Sequence, residues 1–98
     1  MLIRQKIIPK KEGVKIIKSL RKINLQIERG TFVFSEKFED IHLNIENKLF
    51  DMIGSSAGYM HTARSRNDQV VTDFKLWVKE STFLIIKELN SLMKNIVI

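Results

Sequence analysis

Two stretches hold most of the residues able to do chemistry. The first reads Glu39-Asp40-Ile41-His42-Leu43-Asn44-Ile45-Glu46, and the second reads His61-Thr62-Ala63-Arg64-Ser65-Arg66-Asn67-Asp68-Gln69-Val70. Arg64 and Arg66 offer planar, bidentate donors suited to carboxylates, and Ser65 and Asn67 add neutral hydrogen bonds. If a helix starts among them, its first backbone N–H groups and partial positive charge also favour an anion. The chemistry this pattern suits is capture of a small ligand with two carboxylates, such as a succinate moiety. The same Ser65, Asn67 and Asp68 also suit a purely structural role as helix caps. His42 lies about 60° from the centre of its helix's apolar stripe at ~100° per residue, between Glu39 and Glu46. That places it at the edge of the buried face, as a boundary histidine or as a site residue. His61 reads as a loop residue in a supporting role. Two histidines so far apart make a poor metal site, and the chain has no cysteine.

The elements that position these residues are helices. Ile16, Leu20, Ile23 and Ile27 share one helical face, with Pro9 ahead of them and Gly30 offering a left-handed stop behind. Phe38, Ile41, Ile45, Leu49 and Met52 make a second stripe, with Ser35 as candidate N-cap and Gly54 as the stop. Residues 55–62 then read as a loop. Ser65 followed by Asp68 fits a capping box, and helical spacing runs on from Val70 through Phe74, Trp77, Ser81, Leu84, Ile85, Leu89 and Leu92 to Ile96. The spacing predicts helices over about residues 10–29, 36–53 and 66–98, the last ~48 Å long. Fold class is all-α, in one partial domain spanning residues 1–98. The third helix carries apolar residues most of the way round at Phe83-Leu84-Ile85-Ile86 and reaches Ile98 without a cap. It is expected to belong to a larger bundle, with the chain stopping in mid-helix.

Composition narrows the function classes. The 98 residues are 44% hydrophobic and 29% charged, with four glycines and one proline, which suits a helical protein and not a turn-rich β fold. The net charge is +6, and eight of the basic residues (Arg4, Lys6, Lys10, Lys11, Lys15, Lys18, Arg21 and Lys22) fall at the start, against Glu12 alone. A basic end can attract nucleic acid, but no aromatics interleave with these cations to stack on bases, so a solvated helix face is the better reading. The apolar run at the start is broken by Arg4, unlike a secretory signal. Phe83–Ile86 is far short of the ~20 residues needed to span a membrane.

The two stretches, the second continuing as Val71-Thr72-Asp73-Phe74-Lys75-Leu76-Trp77-Val78, closely resemble the N-terminal part of the argininosuccinate lyase family, in the fumarase and aspartase superfamily. The resemblance runs from about residue 8 to about residue 90, and the string from His61 to Gln69 separates this family from its sister enzymes. It implies a carbon–nitrogen lyase of arginine biosynthesis that splits argininosuccinate into arginine and fumarate. The implied enzyme is a cytoplasmic homotetramer with no metal or organic cofactor, and its active sites are shared among subunits. Residue by residue, Asn67 matches a substrate-contacting asparagine, Ser65 and Arg66 match its neighbours in the site, and Asp40 and His42 fall beside it; Arg64 is a candidate on its own chemistry as a bidentate donor. The family's Thr-His pair and its loop with the catalytic Ser and Lys are expected beyond residue 98, so no catalytic acid or base is assigned and the chain alone is expected to be inactive. The alternative is a helical interaction module that associates with a full-length lyase subunit or, through its basic end, with nucleic acid.

Overall fold

The computed structural model describes residues 1–97, and among these the regular structure is entirely helical. The elements are α1 (Lys10–Glu28), α2 (Ile41–Ile53), a 3₁₀ helix (Gly54–His61) and α3 (Arg66–Ile96). Ile98, included in the expected third helix, lies outside the described residues. Contacts divide the chain into two units, Met1–Thr62 and a second beginning at Ala63.

In the first unit, α1 follows Pro9, whose φ of −59° suits the entry to a helix. It ends in a Schellman turn. Gly30, at φ +66°, donates to the Ile27 carbonyl at 3.0 Å, and the Thr31 N–H reaches back to Gln26 O at 2.9 Å. The buried face of α1 presents Ile16 and Ile23 to Leu49 of α2 and Ala57 of the 3₁₀ helix, with Leu20, Ile27, Ile45 and Ile53 around them. Gly13, also buried, admits the N-terminal segment. A Cβ built there would collide with Cγ1 and Cδ1 of Ile3, so a side chain at position 13 would force the Ile3 side chain to move.

The second helix corrects two expectations. It starts at Ile41, five residues later than the pattern suggested, and Asp40, not Ser35, is its N-cap. The Asp40 carboxylate accepts from the Leu43 N–H at 2.8 Å. Ser35 serves the turn before it. Its N–H donates to Oδ1 of buried Asn44 at 2.7 Å, and the Asn44 amide donates back to the carbonyls of Ser35 at 3.3 Å and Asp40 at 2.9 Å. With its donors and acceptor all used, Asn44 holds residues 35–40 in turns and prevents an earlier helix start. The buried stripe is also displaced. Ile45, Leu49 and Ile53 face the core, whereas Ile41 and Met52 are exposed.

Of residues 55–62, expected to be a loop, all but Thr62 lie in a 3₁₀ helix that begins at Gly54, the residue that ends α2 at φ +61°. Its start is tied to α1, where Lys15 contacts Ser56 Oγ at 3.5 Å and pairs with Glu12 at 3.3 Å. The Ser56 hydroxyl, and secondarily Lys15 and Lys11, hold the Glu12 carboxyl below its ordinary value, although burial works against them. A carboxyl depressed on folding stabilises above its unfolded pKa, and that contribution fades as pH falls through the folded value. Thermal midpoints of wild type and Glu12→Gln should therefore differ at neutral pH and converge in acid, below the usual carboxylate range. A gap independent of pH would contradict this linkage.

The second unit is dominated by α3, 31 residues or ~46 Å at 1.5 Å per residue. None of its residues is buried, and Phe74, Trp77, Phe83 and Ile85 are each at least 60% exposed. The Phe74 and Trp77 rings stack with centroids 6.1 Å apart, one turn along the helix.

Candidate functional site

The candidate residues fall in both units. Asp40 and His42 belong to the first. The Asp40 carboxylate is engaged as the cap of α2, and His42 is half-buried in that helix's first turn. Arg64, Ser65, Arg66 and Asn67 belong to the second, where they come together around the start of α3.

The backbone turns sharply just ahead of them. Ala63 has φ +54°, a left-handed conformation that costs an L-residue roughly 1–2 kcal/mol. Ser65 then takes the N-cap position with φ −85° and ψ 143°, and its carbonyl accepts the Gln69 N–H at 3.2 Å. The expected capping box is not formed, since the Ser65 side chain makes no cap bond. The hydroxyl is exposed, as are Asn67 and Asp68, while Arg64 and Arg66 are half-buried. The first turn of a helix has no intrahelical partners for its N–H groups. Two arginines, a serine and an asparagine thus stand at consecutive positions around the positive end of a long helix. Asp68, the one acid of the first turn, leaves the cluster net cationic. Such a group can orient a dicarboxylate through charge-assisted bonds.

Two further residues pair in a way their spacing does not announce. His61 Nε2 lies 2.6 Å from Glu46 Oε2, joining the end of the 3₁₀ helix to α2. Spacing alone makes Glu46 a neighbour of His42 and leaves His61 in a loop. No periodicity relates positions 46 and 61, because their meeting depends on how the first unit folds. Beneath the pair is a cleft of about 200 Å³ lined by Leu43, Asn47, Phe50 and Ala57. Among the described residues, no group of acidic and histidine side chains is arranged to hold a metal ion, and no helix is long and apolar enough to cross a membrane.

The described residues are all helical in their regular structure, with two arginines at the head of the longest helix. In comparison with known proteins, the lyase family matches residues 2–97, and the chain belongs to that family. The relatives are argininosuccinate lyases. That of Pelagibacter ubique is 54% identical over 96 residues, covering 98% of this chain and 21% of its own length. That of Ehrlichia chaffeensis is 55% identical over 96 residues, 98% of this chain and 20% of the relative. That of Symbiobacterium thermophilum is 56% identical over 80 residues, 82% of this chain and 17% of the relative. The chain thus spans about a fifth of the length of the curated relatives it matches.

Proposed function

We propose that this chain is a substrate-binding part of a cytoplasmic argininosuccinate lyase, and that it is inactive by itself. The observation that carries this reading is that Arg64, Ser65, Arg66 and Asn67 stand in succession around the N-terminus of α3. In the complete enzyme a base removes a proton from the succinate carbon next to the one bearing the guanidinium nitrogen. The electron pair left behind forms the double bond of fumarate as the carbon–nitrogen bond breaks. The departing nitrogen takes a proton and leaves as arginine. Negative charge builds up on a carboxylate beside the deprotonated carbon. Arg66, Asn67 and the helix N-terminus would stabilise that charge, with Arg64 and Ser65 orienting the ligand. Asp40 and His42 would stand beside the site, and none of these residues is assigned as acid or base. No metal or organic cofactor enters this scheme. The wide apolar exposure of α3 supports a homo-oligomer, a tetramer by analogy with the family, as the working form.

The test is a hybrid enzyme in which residues 61–78 replace the matching segment of an intact argininosuccinate lyase. The hybrid should retain the parent's kcat/KM within about tenfold, followed by the ultraviolet absorbance of fumarate. The 98-residue chain alone should yield no fumarate above the buffer rate. A folded hybrid with no turnover, or turnover by the chain alone, would contradict the reading.

A further inference from the structure

We propose that Glu46 and His61 are a positioning pair, fixing the chain where it leaves the 3₁₀ helix and runs on to Arg64. The inference rests on the reading of Arg64–Asn67 as a substrate-binding segment. The pair joins residues 15 apart in sequence at 2.6 Å, and the Glu46 side chain is only 18% exposed. A contact this short between an imidazole nitrogen and a carboxylate oxygen is a hydrogen bond to an ionisable partner, a class stronger than neutral pairs when the partner is charged.

The 3₁₀ helix needs such a tie. Its i to i+3 bonds have poor geometry, and runs longer than 3–4 residues are uncommon, yet this one covers eight. Its start is held to α1 through Ser56. Its end is closed locally by Thr62, whose N–H and hydroxyl both donate to the Tyr59 carbonyl, at 3.3 and 2.7 Å. Those bonds do not reach α2. Leu49 and Ala57 pack α2 against the 3₁₀ helix on the core side, with Met60 beside them; on the other side an open cleft lies over Phe50, and there the Glu46–His61 bond joins the end of the 3₁₀ helix to α2. His61 precedes Arg64 by three residues, and between them Ala63 holds a single restricted turn.

Hydrogen exchange on the 98-residue chain tests the first half of the proposal. Glu46→Ala should speed exchange of the amides at Met60, His61 and Thr62 by roughly tenfold or more, the effect of losing one charged hydrogen bond, and leave Ile23 in α1 unchanged. Unaltered exchange at 60–62, or an equal rise throughout the unit, overturns it. The second half uses a hybrid lyase carrying residues 2–97. There Glu46→Ala should lower kcat/KM by roughly tenfold, and Glu46→Gln, which keeps a neutral hydrogen bond to the imidazole, should recover part of the loss. Parental kinetics in Glu46→Ala, or a Gln variant no better than Ala, overturns the positioning role. Arg66→Lys in the same hybrid separates the two readings. If it is impaired while Glu46→Ala is not, the pair alone has failed; if both match the parent, the substrate-binding reading has failed first.

Discussion

Leu49→Ala is expected to unfold most of the first unit near body temperature. Leu49 is fully buried at 0% exposure and touches the α1 face around Ile16 and Ile23. Truncating a buried leucine costs about 2–5 kcal/mol through lost transfer energy and the cavity left behind. Domains of this size have only about 0.05–0.15 kcal/mol per residue of net stability. The first unit is Met1–Thr62, so the loss is of the same order as the whole reserve. In a domain this small, 1 kcal/mol corresponds to about 4–8 °C, so the midpoint should fall by at least ~10 °C. Amide exchange in α1 and α2 reports on this unit directly. Phe50→Ala is the control, because Phe50 is the next residue on the same helix but 57% exposed. Equal effects from the two variants would show that the core is not centred where the structure puts it.

The second large effect is expected at the site. In the hybrid lyase carrying residues 61–78, Asn67→Ala should lower kcat/KM by roughly ten- to a hundredfold, the equivalent of one hydrogen bond to a charged group at about 1.5–3 kcal/mol. The fall should appear in kcat if the bond tightens as charge builds up on the substrate carboxylate, and in KM alone if it serves ground-state binding only. Lys75→Ala lies further along α3, is exposed, and should leave the kinetics unchanged. If Asn67→Ala matched Lys75→Ala within error, Asn67 would be no more than a residue of the first helical turn.

Periodicity made some of this architecture legible and left other parts hidden. Ile16, Leu20, Ile23 and Ile27 could be read as one face because helical spacing alone puts them together. The start of α2 could not, since Ser35 and Asp40 are both good caps. What decides between them is Asn44, buried and bonded to residues 35 and 40. The Ser65–Asp68 pattern marked a helix start but misjudged its chemistry, because the serine side chain makes no cap bond there. Residues 55–62 read as a loop for want of apolar spacing, yet 55–61 are helical. Ties to α1 and α2, which are tertiary, keep them helical. Residues 64–67 stood out in the sequence only as a string of types; the structure adds that they lie around the start of the longest helix, Ser65 at its N-cap.

The bareness of α3 bears on how the protein behaves as its amount changes. A helix with no buried residue gains almost nothing from hydrophobic burial, and helices in water draw most of their stability from such packing. Whatever covers Phe74, Trp77, Phe83 and Ile85 supplies that missing term, and it does so by mass action. Dilution should loosen α3 before it touches the α1–α2 core. During synthesis α3 must wait for whatever covers it, so its lifetime in the cell is set by encounter and not by its own sequence.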